Sequence, residues 1–351
     1  MNGQILINKN NLTHNLSEIQ KYAKDSKIMS VIKSNGYGHG ILEVASALKK
    51  SDAFAVATIN EAIYLRNNNI EKQIVCLQGF SNTEECIYCS QNNIRPVVHN
   101  HEQINILKNT NLQKPISIWI KFDTGMNRLG FDVKEANNIF KKIDGASEKI
   151  NLMTHFSDAD EKFDKKTNKQ LRLFNSILST EKMEKSLSNS AGILKYDNSH
   201  SDWVRPGLLL YGINLTHKKI TGLKPVMKVT AKVIATRKCK KGDEIGYGST
   251  YKCKKSEYIA ALSIGYGDGL PRSFSNNGKV FFKGKKFSIV GRISMDITTI
   301  SSGNNQLKIG DELEIWGDNI SVEDISSNIN TIPYELLCNI KSKRKIPKKS
   351  T

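Results

Sequence analysis

From Ile5 to about Gly212 the chain alternates short apolar runs with longer amphipathic ones, and few folds can accept that rhythm. The apolar runs fall at Ile28–Ile32, Phe54–Ala57, Ile74–Leu77, Pro96–Val98, Ile116–Phe122, Ile150–Met153 and Val204–Leu210. Between them lie Asn11–Ala23, Ile41–Leu48, Glu61–Arg66, Glu102–Leu107, Val133–Ile143 and Lys165–Leu178. In the first of these, Leu12, Leu16, Ile19 and Tyr22 recur at helical spacing. Strands alternating with helices imply parallel pairing through right-handed crossovers. About eight such units over roughly 200 residues suit a (β/α)8 barrel. A doubly wound sheet is the alternative, but the usual dinucleotide fingerprint is absent.

After about Lys218 the texture changes. Val229–Thr236, Tyr258–Ile264, Val280–Phe282, Phe287–Ile293 and Glu312–Trp316 are separated by glycine and charged turns, with little helical spacing. This predicts an antiparallel β domain with one short helix near Val322–Asn328. The expected division is therefore a barrel over residues 1–217 and a β domain over 218–351.

Composition narrows the class. A hydrophobic share of 38% with 25% charged residues fits a soluble globular protein. No run is long and apolar enough to cross a bilayer, and the first residues lack a basic segment followed by an apolar one, so the expected compartment is the cytosol. Six cysteines are scattered, and the only close pair, Cys86 and Cys89, lies in a segment that reads as a helix. No metal site and no disulfide are expected. The net charge of +18 could steer a protein to nucleic acid or an anionic membrane. Its lysines are spread along the chain, however, and the densest run, 341–349, has no interleaved aromatics and reads as a solvated tail. Neither nucleic acid nor membrane is expected as a partner.

Chemistry concentrates at Val31-Ile32-Lys33-Ser34-Asn35-Gly36-Tyr37-Gly38-His39-Gly40. Lys33 sits where an apolar run ends, a place that favours a neutral, nucleophilic amine. Three glycines within five residues let backbone approach a bulky anion. Taken alone, the lysine reads as a surface charge and the glycines as an ordinary turn. As a whole string the stretch resembles the lysine motif of alanine racemases, which combine an (α/β)8 barrel with a β domain and use pyridoxal 5′-phosphate (PLP). Ser34 and Gly36 stand where that family usually has alanine.

Further strings extend the resemblance in order. Asp123-Thr124-Gly125-Met126-Asn127-Arg128-Leu129-Gly130 offers in Arg128 a fork-shaped donor for a carboxylate; otherwise it is a turn with an ion-paired arginine. The others are Met153–Phe156, Asn189–Ala191, Trp203–Gly207, Gly246–Tyr251, Ile264–Gly269, Val290–Asp296 and Pro333–Glu335. Singly, each suits a structural histidine, a cap, a turn or a core aromatic.

The resemblance implies a role for each matching residue. Lys33 carries PLP as an internal aldimine, and Tyr37, Ser190, Gly207, Leu208 and Tyr334 hold its phosphate. Arg205 faces the pyridine nitrogen, with His155 bonded behind it. A guanidinium keeps its proton and so discourages a pyridinium, which limits transamination. Arg128 holds the substrate carboxylate and orients the catalytic tyrosine, while Tyr266, Met295 and Asp296 line the substrate pocket. Lys121 matches a lysine carbamylated in some members. Tyr247 is the second base opposite Lys33, because racemisation needs a group on each face of Cα. In the family that tyrosine enters the other subunit's site, which implies a head-to-tail homodimer. The expected activity is interconversion of L- and D-alanine by two-base proton exchange at Cα of the external aldimine, supplying D-alanine for peptidoglycan. The alternatives are a broad-specificity racemase, a decarboxylase sharing the barrel (disfavoured by Arg205) and a PLP carrier without catalysis (disfavoured by Tyr247).

Overall fold

The computed structural model describes residues 4–178, 182–216, 220 and 222–340. It divides into two compact units, Lys9–Leu223 and, drawn from both ends of the chain, Met1–Asn8 with Lys224–Thr351. The boundary expected between residues 217 and 218, and the basic run 341–349, lie outside the described residues.

Strand β1 (Gln4–Ile7) does not open the barrel. It pairs antiparallel with the start of β11 (Met227–Cys239), so the barrel series begins one strand later than the alternation from Ile5 suggested. Eight parallel strands then close on one another: β2 (Lys27–Val31), β3 (Ala53–Val56), β4 (Ile74–Cys76), β5 (Ile94–Val98), β6 (Ser117–Asp123), β8 (Lys149–Met153), β9 (Lys185–Ser186) and β10 (Trp203–Val204). The ring is completed by β10 pairing with β2, Trp203 opposite Lys27. A two-residue strand, β7 (Phe131–Asp132), hangs on β6 outside the ring. Its approach depends on Gly130, where a Cβ would fall 2.6 Å from the Asp123 nitrogen. The barrel strands are apolar on both faces, as Ala53–Val56 and Ile74–Cys76 show by being buried at every position. That is expected when side chains fill the barrel on one side and helices cover the other.

Two readings along this series change. The run Val204–Leu210 is not one strand: it ends at Val204, Pro206-Gly207 turns the chain, and Leu208–Tyr211 forms a 3-10 turn. The seventh barrel strand, β9, carried no apolar signal because its buried residue is Ser186, which donates to the Trp203 carbonyl at 2.9 Å. Cys86 and Cys89 lie in the helix Thr83–Gln91, as expected, and both are buried. Burial pushes both thiols up, Cys86 to about 11.

In the second unit, β11 joins β14 (Glu257–Leu262), β17 (Thr298–Gly303), β16 (Lys285–Ile289), β15 (Lys279–Phe282) and β18 (Glu312–Trp316), and β18 returns to β11. All pairings in this closed ring are antiparallel. A separate hairpin, β12 (Glu244–Ile245) with β13 (Tyr251–Lys252), brackets the turn that bears Tyr247. The expected helix at Val322–Asn328 is present, and a second one at Pro333–Asn339 starts on proline, a residue suited to the first helical position. Among the described residues no helix is long and apolar enough to cross a membrane.

Candidate active site

In a parallel barrel every strand delivers its last residues to the same face. Lys33, Asp123, His155 and Arg205 all stand at or just past such strand ends.

The chain after β2 makes a left-handed turn, with φ of 54°, 53°, 63° and 52° at Ser34, Asn35, Gly36 and Tyr37. Left-handed conformations cost L-residues about 1–2 kcal/mol each, so the turn must be held. The Gly36 amide donates to Ile32 O at 2.9 Å, Gly38 to Ser34 O at 3.0 Å and Gly40 to Asn35 O at 2.9 Å. Asn35 Oδ1 accepts from Ile41 N at 2.9 Å, and the His39 ring reaches Tyr37 O through Nδ1 at 2.8 Å. Gly36 is demanded twice, by its φ and because a Cβ would lie 2.8 Å from Val44 Cγ2. The result buries Tyr37 against Tyr211, with ring centroids 4.9 Å apart.

That burial aims the Tyr37 hydroxyl at Gly207. A Cβ there would sit 2.7 Å from Tyr37 Oη and 3.9 Å from Ser190 Oγ, so only glycine leaves the space open. The Gly207 amide donates to Ser190 Oγ at 2.9 Å, which leaves the hydroxyl proton of Ser190 to point elsewhere. Leu208 follows directly and begins the 3-10 turn. Tyr37, Ser190 and Gly207 thus form one small cradle of hydroxyl groups and backbone, whose shape and donors fit a phosphate. Because β10 pairs with β2, and Val31 N donates to Pro206 O at 2.9 Å, cradle and amine stand on neighbouring strands.

Arg205 is buried and donates through both terminal nitrogens. It donates to Ser186 Oγ at 2.6 Å, Thr154 O at 2.6 Å, Leu187 O at 3.2 Å and His155 Nδ1 at 3.2 Å. Since a guanidinium can only donate, Nδ1 of His155 accepts, and the ring proton resides on Nε2. Burial, then the charges of Arg205, Lys121, Arg128 and Lys33, push the His155 pKa well below its ordinary value, so it is neutral. Burial also lowers Arg205, to about 9, which leaves it charged at neutral pH. Lys121 is drawn down to about 8 by burial and by Arg205, Arg128 and Lys33, against the pull of Asp123. Four basic side chains therefore crowd one face of the barrel, a field suited to a phosphate and a carboxylate.

Arg128 projects from a loop organised by Asp123, whose carboxylate accepts from the amides of Gly125, Met126, Asn127 and Arg128 at 2.8–3.1 Å. Burial alone would raise that carboxyl, but these N–H groups outweigh it and hold its pKa below the usual value. Gln170, absent from the sequence reading, ties this loop to the His155 segment. Its Nε2 donates to Thr124 Oγ1 at 3.3 Å and His155 O at 3.0 Å, and its Oε1 accepts from Ser157 N at 3.0 Å. The available signal was an amide on the buried stripe of the helix Lys165–Asn175, beside Leu171 and Phe174.

In the second unit the structure gathers three of the sequence strings. Tyr266 N donates to Ser294 O at 3.1 Å and Gly267 N to Met295 O at 2.8 Å, so the Tyr266 turn lies along Ser294 and Met295. Gly248, with φ of 69°, leaves room for Arg292, whose Nη1 a Cβ would approach to 2.8 Å. Tyr247 stands beside it with 71% of its surface exposed. Tyr334 is the second residue of the helix Pro333–Asn339.

Residues 7–215 match the family model described as "Alanine racemase, N-terminal domain", and residues 226–348 match "Alanine racemase, C-terminal domain". The chain belongs to the alanine racemase family. It is 42% identical over 348 residues to an alanine racemase of Coxiella burnetii, covering 95% of both chains. It is 40% identical over 344 residues to one of Vibrio atlanticus, covering 96% of both. The fold superimposes on an alanine racemase of Acinetobacter baumannii with a TM-score of 0.92 at 35% identity, over 97% of this chain and 98% of that one. A Bartonella henselae alanine racemase described with covalently bound pyridoxal phosphate gives 0.89 at 32% identity, over 97% of each.

Proposed function

We propose that this chain racemises alanine with PLP as cofactor, using Lys33 and Tyr247 as the two groups that take and return the Cα proton. The observation that carries the reading is the Tyr37–Ser190–Gly207 cradle beside strand β2, just past whose end Lys33 stands. A phosphate in the cradle and an amine next to it are what PLP requires of a protein. Leu208, next in the chain, adds its backbone N–H to the phosphate contacts.

When bound, the cofactor draws electron density away from the substrate Cα and so acidifies its proton. The protein does the rest. Lys33 would hold the cofactor through its amine, and the same amine would take or return the Cα proton on one face. Arg205, a cation held by Ser186, Thr154 and His155, would face the ring nitrogen, where a second positive charge is disfavoured. That restraint suits return of the proton to Cα rather than transamination. Arg128 binds the substrate carboxylate, while Tyr266, Met295 and Asp296, carried like Tyr247 on the second unit, bound a small side-chain space in a site shared between subunits.

Tyr247 acts on the opposite face, supplied by Tyr247 of the partner subunit in a head-to-tail homodimer. Its exposure, shared by Met295 at 52% and Tyr266 at 43%, supports a surface that another subunit covers. Five buried cysteine thiols accord with a cytosolic location, where D-alanine is made for cell-wall peptidoglycan. The test is a chiral assay of purified protein with PLP and a panel of L-amino acids. Racemisation confined to alanine is expected; turnover of larger side chains at comparable rates would replace the alanine assignment with a broad-specificity racemase.

A further inference from the structure

The helix Ile59–Asn67 opens with a capping box, Thr58 Oγ1 accepting from Glu61 N at 3.3 Å. Ordinarily the glutamate of such a box turns back on its own N-cap amide. Here that return bond, from Thr58 N to Glu61 Oε2, is a long 3.4 Å. The carboxylate spends its better bonds elsewhere: Oε2 accepts from Ala57 N at 2.8 Å, just past β3, and Oε1 accepts from Ser34 N at 2.6 Å, just past β2. One side chain thus bridges the ends of two adjacent barrel strands.

The Ser34 amide belongs to the peptide group whose carbonyl carbon is that of Lys33. Of the two peptide planes flanking Lys33 Cα, the preceding one is held by Ile32 O accepting from Gly36 N at 2.9 Å. The following one is held by Glu61, at the first residue of the left-handed turn. We infer that Glu61 is a positioning residue for Lys33, fixing the direction in which its amine leaves the strand. The inference rests on the role given to Lys33 above. Glu61 itself touches neither cofactor nor substrate in this account; it acts through the backbone.

The geometry separates this role from helix capping. Thr58→Ala removes the cap and leaves both strand-end bridges. Glu61→Gln keeps the shape but replaces one acceptor oxygen by an NH2 group, which must then face an amide donor at Ser34 or Ala57. The experiment follows full-length protein mixed with PLP. Amine and aldehyde condense with loss of one water, borohydride quenches the mixture at timed intervals, and mass spectrometry measures pyridoxyl-Lys33. Hydrogen exchange of the peptide containing Ser34 is measured in parallel.

Wild type should be captured at Lys33. Thr58→Ala should lose thermal stability but keep the capture rate. Glu61→Gln should be captured roughly ten- to a hundredfold more slowly, the loss expected from misplacing a reactive group by about 1 Å. It should also exchange the Ser34 amide faster, and lower kcat with KM for alanine unchanged. Capture of Glu61→Gln at the wild-type rate, or equal slowing by Thr58→Ala, overturns the positioning role. Should Glu61→Gln not fold, Glu61→Asp, which keeps the charge but cannot reach both amides, takes its place under the same criterion. If wild type itself yields no pyridoxyl-Lys33, it is the proposed function that fails.

Discussion

Two turns with positive φ carry the two proposed bases, and they are built in opposite ways. The Lys33 turn is tied at nearly every residue and buries Tyr37 to 5% exposure, with His39 and Tyr211 stacked behind it at 4.4 Å. The Tyr247 turn also uses positive φ, at Gly246, Gly248 and Ser249, but it leaves its aromatic ring 71% exposed. The first turn spends backbone strain to aim a side chain into its own unit. The second spends it to hold a side chain outward. A covalent anchor gains from rigidity in the free protein, whereas a base that serves another subunit has to be presented on a surface.

The largest test of this contrast is Lys33→Ala, which should abolish both racemisation and the visible absorbance of the bound cofactor. Retained absorbance would remove Lys33 from its role. Tyr247→Phe should break the symmetry: the cofactor spectrum survives while turnover falls by roughly 10²–10⁴-fold, the range for losing a general base. Because each variant lacks a different half of the chemistry, mixing the two inactive proteins should restore part of the activity if sites are shared between subunits. Unaltered turnover in both directions for Tyr247→Phe would discard it as a base.

Gly207→Ala comes next. Its Cβ would lie 2.7 Å from Tyr37 Oη, so the cradle must open, and PLP affinity should drop by roughly tenfold or more in a titration. The matching change in the other turn, Gly248→Ala, should leave PLP affinity unchanged, since the atoms nearest its Cβ are those of the Arg292 guanidinium and the strain at its positive φ falls on the Tyr247 turn.

The smallest effect is a pH dependence from Lys121, on β6 among the cations that include Lys33. Lys121, at about 8 in the fold against an ordinary 10.5, releases its proton earlier folded than unfolded. Between those values the unfolded chain binds more protons, so stability of the cofactor-free protein should rise with pH across that window. Thermal melts of Lys121→Met should lose that rise; an identical slope in both proteins would show that Lys121 is not the group responsible.

Much of the architecture was legible because it rests on local periodicity. Seven apolar runs mark barrel strands, and Val322–Asn328 marks its helix. What escaped was carried by polar residues with distant partners. Strand β9 hides behind Ser186, whose place inside the barrel makes sense only once Arg205 bonds to it at 2.6 Å. Strand β1 looks like the first of its series, yet its partner, Met227, is 220 residues away. Gln170 and Glu61 read as ordinary helix residues until the amides they meet are known.

The sequence by itself determined which elements form and which residue types stand at strand ends, since apolar spacing, capping residues and glycines are properties of short windows. Only the tertiary structure decided that Tyr37, Ser190 and Gly207 share one cradle and that His155 is neutral beneath a charged Arg205. It also decided that the Glu61 carboxylate reaches back to the peptide group of Lys33. Such contacts depend on ring closure between strands far apart in the chain, and a pKa depends on the burial and charges that closure brings together.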